Sequence, residues 1–257
     1  MNKVIESTRS PIAAVSIDYR DAGRIGVIIP SANVVAEHEI RAMAPPGIGV
    51  HFTRVALRGT TSEDLVNMEG GADEAAMMLA DAGVDQIVFH CTAVTTFDNH
   101  IGSRISRRIT ELTGVPAFST SEAIVNALRA LRATNIVLST PYNPAIHERE
   151  IQFLKANGFN VVADSRMDNT DDVRALDKIP QAEIERCVLD EVHARADAYF
   201  VSCTAIRSAP LIASLEAALN RPVITSNQAM IWYALSRLGR LPAPPGFGRL
   251  LDVTGEA

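Results

Sequence analysis

Apolar residues along the chain fall into two kinds of run that alternate from residue 24 to residue 238. Short runs rich in Val, Ile and Phe cover 24–29, 49–55, 86–90 and 115–118, then 135–139, 159–163, 198–202 and 222–225. Each reads as a strand, bounded by Gly, Pro, Asn or Ser. Longer stretches with helical spacing lie between them at 35–44, 61–82, 98–113, 121–132, 144–157, 208–219 and 227–238. Another helix, interrupted at Pro180, runs to about residue 196. Gly83, Gly114 and Gly158 follow helical runs, where a left-handed cap is expected. Residues 1–22 show no periodicity and read as a lead-in arm. Strands and helices in strict alternation predict an α/β fold with parallel sheets.

The pattern also repeats. Pro30 followed by Glu37-His38-Glu39-Ile40 matches Pro141 followed by Glu148-Arg149-Glu150-Ile151 at the same offsets. Cys91-Thr92-Ala93 matches Cys203-Thr204-Ala205, and the stretch from Val115 to Ala123 matches that from Arg221 to Ala229. Any two strand–loop–helix units look somewhat alike, but three matches in the same order and at similar separation favour a true repeat. Two pseudo-symmetric halves follow, each a four-stranded parallel sheet flanked by helices. The first spans 22–120 and is completed by 227–250; the second spans 121–226.

Composition narrows the function classes. With 257 residues and 47% apolar content the chain can bury a large core. A net charge of −6 argues against nucleic acid as a partner. The three lysines, Lys3, Lys155 and Lys178, end no predicted strand, so a Schiff-base role has no candidate. No Walker A sequence and no Gly-x-Gly-x-x-Gly after a strand supports a nucleotide cofactor. The six histidines show no metal-ligand spacing with the cysteines. No apolar run is long enough to span a membrane or to form a signal-peptide core. Three cysteines, far apart in sequence, are no disulfide framework and point to a reducing cytoplasm. The expected picture is a cofactor-free, metal-free cytoplasmic protein.

Candidate chemistry sits in the repeat. A buried strand ending on Cys-Thr brings a thiol to the carboxyl end of a sheet, where α/β proteins bind ligands. Two such strands put Cys91 and Cys203 across one cleft. A thiol works as nucleophile or acid–base only when thiolate is accessible, and N–H groups at a strand-to-helix turn favour that. Those N–H groups, with the Thr92 and Thr204 hydroxyls, suit a carboxylate or enolate oxygen, so the expected substrate is a small carboxylate. Asn33 offers an amide donor and Tyr142 a phenolic O–H from equivalent loops; capping and packing are the plain alternatives. Asp168-Asn169 before a helix is a cap or a ligand. Arg207 is a carboxylate clamp or a solvated helix residue. Cys187, on a helix with apolar neighbours, reads as a small buried hydrophobe. His90 points away from the Cys91 face and reads as packing. Glu37-His38-Glu39 and His147-Glu148 read as exposed helix faces.

Taken together, several features resemble the Asp/Glu racemase superfamily, and within it the maleate cis–trans isomerase and arylmalonate decarboxylase group. They are the paired Cys strand-ends, the Pro-Ser-x-Asn loop after the first strand, Thr-Pro-Tyr opening the second half, and Asp-Asn after its second strand. The resemblance covers about 22–240. It implies two flavodoxin-like halves enclosing the substrate, with no cofactor or metal, often in a homo-oligomer. It implies Cys91 as the nucleophile that adds to an olefinic carbon of maleate, and Cys203 as the thiol that donates and recovers the neighbouring proton. Asn33, Tyr142 and Asn169 would then hold carboxylates. Thr95-Thr96 is more polar than the aliphatic stretch of maleate isomerases, and Cys-Thr-Ala-Ile-Arg with Arg207 resembles the ectoine-catabolism branch. Racemisation of an amino acid or its derivative is therefore the alternative. The decarboxylases retain only the second cysteine and fit less well.

Overall fold

The computed structural model describes residues 18–19, 22–57, 68, 70–167 and 172–254. Its first sheet comprises β1 (Gly23–Pro30), β2 (Ile48–Val55), β3 (Gln86–Phe89) and β4 (Ala117–Ser119), in the order β2-β1-β3-β4. Its second comprises β5 (Asn135–Thr140), β6 (Asn160–Arg166), β7 (Ala198–Val201) and β8 (Val223–Thr225), in the order β6-β5-β7-β8. All pairings are parallel, with Ile25 opposite Gln86 in one sheet and Ile136 opposite Ala198 in the other. The two orders are the same walk taken twice, and both match the start of the flavodoxin-like order. The central strands β3 and β7 are buried at every residue, which explains why they read as unbroken apolar runs without alternation.

Helices α1 (Ala36–Met43), α2 (Ala72–Asp81), α3 (Thr92–Thr95), α4 (Ile101–Thr113) and α5 (Thr120–Ala130) belong to the stretch around the first sheet. Helices α6 (Pro144–Ala156), α7 (Gln181–Leu189), α8 (Ile212–Leu219) and α9 (Ser226–Arg237) follow. The third repeat match takes the same local form in both copies. Ser119 caps α5 through a reciprocal pair with Glu122, and Thr225 caps α9 through the same pair with Gln228. Helix α9 then packs against α1 and α5, and its Ala234 carbonyl accepts from Gln86 of β3 at 2.8 Å.

Several boundaries shift. The helix expected over 98–113 is preceded by the short α3, because the Cys91 carbonyl already accepts a helical bond from Thr95. The helix expected around Pro180 is split into a 3-10 turn at Val173–Lys178 and α7, and it stops at Leu189, well before residue 196. Pro180 has no N–H to continue the earlier turn. Most of the predicted 1–22 arm and much of the 61–82 helix lie outside the described residues. No described helix is long and apolar enough to cross a membrane.

Candidate active site

The carboxyl ends of β3 and β7 open onto one narrow cavity between the sheets. Its walls include Pro30, Asn33, Cys91, Thr92, Tyr142, Cys203 and Thr204. Leu57, Val173 and Leu176 contribute apolar wall. The cavity holds about 40 Å³. That admits a few water molecules and is smaller than a drug-sized ligand site by about tenfold. A wider surface groove of about 610 Å³ at the edge of β2 holds neither cysteine. Its one arginine, Arg41, already lies over the Phe52 ring.

Each cysteine is presented by a strand-to-helix turn. Cys91 occupies the N-cap position of α3 in extended backbone, and the N–H groups of Val94 and Ala93 point at its sulfur. Cys203 is more unusual: its φ is 105°, a region that L-residues other than Gly rarely enter. Such strain persists only where neighbours over-determine it. Here the Cys203 N–H donates to Ser226 Oγ at 3.1 Å, and the Ala205 N–H donates back to Cys203 Sγ at 3.3 Å. The Tyr142 phenol also hydrogen-bonds with the Cys203 thiol.

The oriented N–H groups expected at both thiols are there, yet they do not win. Burial pushes the Cys91 thiol up to about 12 and the Cys203 thiol up to about 11. In the closed cavity both thiols are therefore protonated, contrary to the expectation of a resting thiolate. The physical reason is desolvation: amide donors lower each thiol by less than removal from water raises it.

Asn33 is fully engaged. Its Oδ1 accepts from Val35 and Ala36 at 3.0 Å each, capping α1, and its Nδ2 donates to the Thr204 carbonyl at 3.1 Å and to Thr204 Oγ1 at 3.0 Å. The capping alternative thus holds, and the same amide ties the first half to the second cysteine loop. Thr92 Oγ1 donates to Ser226 Oγ at 2.9 Å. Arg207 does not join the cavity. Its side chain is 59% exposed and lies 3.6 Å from Asp177, on the turn that carries Val173 and Leu176. Asn169, with Asp168, lies outside the described residues. No Lys, Arg or His of the described residues lines the cavity, so a bound carboxylate would rest there on neutral donors.

Two readings made from helix patterns fail. Glu39 and His147 were expected on exposed faces, but both are buried, as is Glu150. Glu39 reaches across to the second half, accepting from the Ala209 N–H at 2.9 Å and from Asn227 Nδ2 at 2.7 Å. His147 bonds Thr140 Oγ1 and Asp164. Glu150, the repeat partner of Glu39, accepts from Ser202 Oγ at 2.7 Å and 2.9 Å. Charge on a helix marks solvent only when no polar group faces it from another element. The repeat itself carried a signal here, since a carboxylate kept at both equivalent positions is not required of a solvated face. His90 is buried as expected but does more than pack, its ring nitrogens lying 3.0 Å from Thr120 Oγ1 and 2.8 Å from Asn227 Oδ1, and burial holds it neutral by lowering it to about 4. Cys187 is a buried helix thiol beside Ser165.

This architecture has known relatives. A family model described as arylmalonate decarboxylase matches residues 25–251. The chain belongs to the arylmalonate decarboxylase family. Within reach of that family, it is 28% identical over 243 residues to the maleate isomerase of Pseudomonas putida, covering 89% of this chain and 97% of that one. It is 30% identical over 239 residues to the maleate isomerase of Nocardia farcinica, covering 89% and 95%. Its fold superposes with a TM-score of 0.85, at 26% identity and over 90% of this chain and 98% of the other, on a cysteine mutant of the Nocardia farcinica maleate cis–trans isomerase. That neighbour carries a covalently bound succinylcysteine intermediate. The chain is thus similar to proteins named for isomerisation, and it has two buried thiols in one cavity.

Proposed function

We propose that this chain is a cofactor-independent cis–trans isomerase of maleate or a closely related small unsaturated dicarboxylate, working through a covalent adduct on Cys91. The observation that carries this reading is the meeting of two cysteines from pseudo-equivalent strands on a single cavity, each beside N–H donors and a threonine hydroxyl. The likeness of the whole chain to maleate isomerases supports it.

On substrate entry the Cys91 thiol gives its proton to solvent water, and the Ala93 and Val94 N–H groups hold the resulting Cys91 thiolate, from which each cycle starts and to which it returns. The Cys91 sulfur adds to one olefinic carbon, forming a C–S bond, and the π pair moves to the neighbouring carbon. That carbon takes the proton of the Cys203 thiol. The former double bond is now single and rotates. The Cys203 thiolate removes the proton again, the pair re-forms the double bond, and the C–S bond breaks to return the Cys91 thiolate and release the trans product. Atoms and charge balance over the cycle, so no cofactor or metal takes part. Neutral donors such as Tyr142 and Thr204 hold the carboxylates, and Asn33 joins them by releasing Thr204. Three free thiols suit a cytoplasmic setting.

A second reading keeps the same pair of thiols, since one removes and the other supplies an α-proton in a racemase. Conversion of maleate and of aspartate by the wild type, Cys91→Ser and Cys203→Ser, run in D2O, separates the two. The isomerase reading predicts fumarate from maleate with both variants impaired. Deuterium at the α-carbon of aspartate, with maleate untouched, supports racemisation. Full turnover by both variants overturns thiol catalysis.

A further inference from the structure

The two thiols come from different halves, yet the reaction proposed above needs them at one fixed separation. Two adjacent residues at the start of α9, both fully buried, connect the loops that carry them. Ser226 Oγ accepts from Thr92 Oγ1, next to Cys91, at 2.9 Å and from the Cys203 N–H at 3.1 Å. Asn227 Oδ1 lies 2.8 Å from Nε2 of His90, on the other side of Cys91. Its Nδ2 donates to the Thr204 carbonyl, next to Cys203, at 3.3 Å. Both cysteine loops are therefore gripped on α9 by one dipeptide.

Glu39, on α1, holds this grip from a third element. Glu39 Oε2 accepts from Asn227 Nδ2 at 2.7 Å, while Glu39 Oε1 accepts from the Ala209 N–H. Asn227 Nδ2 thus faces the Glu39 carboxyl group while its Oδ1 faces His90 Nε2 at 2.8 Å, and His90 Nδ1 lies 3.0 Å from Thr120 Oγ1. The equivalent first-half residues make no such bridge, for Thr120 bonds His90 and the Phe89 carbonyl, and Ser121 bonds Ser119. Among the described residues the device occurs once, although the fold repeats.

We infer that Ser226 and Asn227, with Asn227 oriented by Glu39, are positioning residues that set the separation of the Cys91 and Cys203 sulfurs. This rests on the two-thiol reading. It explains why the strained backbone at Cys203 stays put: its N–H is held by the same serine that holds Thr92. A packing role alone would ask only for shape at these positions. A positioning role asks for the amide and the hydroxyl, and it affects the two-thiol step more than chemistry at either sulfur alone.

The test uses the full chain with Asn227→Ala, His90→Leu and His90→Gln. Three quantities are measured: kcat and KM on maleate, thermal melting, and the rate of Cys91 alkylation by iodoacetamide. A displacement of the order of an ångström costs about 100-fold in rate, so kcat of Asn227→Ala is expected to fall by roughly that factor. Its KM should move by less than about threefold, and Cys91 alkylation should not slow. His90→Gln, which still offers an N–H to Asn227, should keep most of the kcat that His90→Leu loses. That pair answers the question even if Asn227→Ala does not fold. A wild type active on maleate with Asn227→Ala and His90→Leu at full kcat refutes the inference and leaves the two-thiol reading standing. Alkylation that slows in step with kcat also refutes it, by showing damage to Cys91 itself. A wild type that converts no maleate removes the reading, and the inference with it.

Discussion

Burial of the cysteines makes a quantitative prediction for the substrate-free protein. With the Cys91 thiol pushed up to about 12, the thiolate fraction at pH 8 is ~10⁻⁴, against about a quarter for an ordinary thiol near 8.5. In energy, the rise from 9.0 to about 12 disfavours the thiolate by about 4 kcal/mol. Alkylation of Cys91 by iodoacetamide, followed by peptide mass mapping, should therefore run ~10³-fold slower than alkylation of a small reference thiol at pH 8. Restricted access lowers the absolute rate as well, so the slope is the sharper observable. The rate should climb about tenfold per pH unit from pH 6 to pH 10 without levelling. A plateau below pH 8 would mean that the amides of Ala93 and Val94 outweigh desolvation, and the closed-cavity account of the thiols would be wrong.

Glu150 gives a stability prediction with a definite sign. Its folded value is raised from 4.5 to about 8 by burial, so the folded state holds a proton that the unfolded state releases. Stability from this group is fully present below pH 4.5, is lost as pH rises to about 8, and is constant above. The loss approaches about 5 kcal/mol. Glu150→Gln keeps an acceptor for Ser202 and does not titrate, so its melting temperature should gain on the wild type between pH 5 and pH 8; a gap independent of pH contradicts this. In Gly102→Ala, the new Cβ would stand 2.2 Å from Ser121 Oγ and 2.6 Å from Ser119 Oγ at the cap of α5. Overpacking of this kind costs about 1–3 kcal/mol, and an unchanged denaturation midpoint would show that α4 shifts freely. Arg207→Ala removes an exposed pair with Asp177 worth about 1 kcal/mol or less. KM for maleate should hardly move, and a tenfold rise would return Arg207 to the list of substrate ligands.

The strand–helix alternation was legible because the central strands β3 and β7 are buried at every residue and several helices begin or end on recognisable caps. The stretch Ser119-Thr120-Ser121-Glu122 and its partner Thr225-Ser226-Asn227-Gln228 announce capping boxes from residue types alone, and both fold that way. The cavity's cysteines, threonines and Tyr142 were also legible, as strand ends and as equivalent loops. What failed depended on contacts between distant segments. Glu39 looks solvated within its own helix, and only a partner 188 residues away shows otherwise. The protonation of the thiols follows from their burial among residues of both halves, which no local motif encodes. Arg207 lies four residues past Cys203, but the chain turns it outward to Asp177.

The most direct test is the mass of the Cys203→Ser variant after incubation with maleate, read on the intact chain and on the peptide containing Cys91. The account predicts a stable adduct of one maleate per chain, on the Cys91 sulfur, with little or no fumarate formed. Fumarate production by Cys203→Ser at the wild-type rate, or an unmodified Cys91 in Cys203→Ser while the wild type turns over maleate, would contradict the covalent two-thiol mechanism.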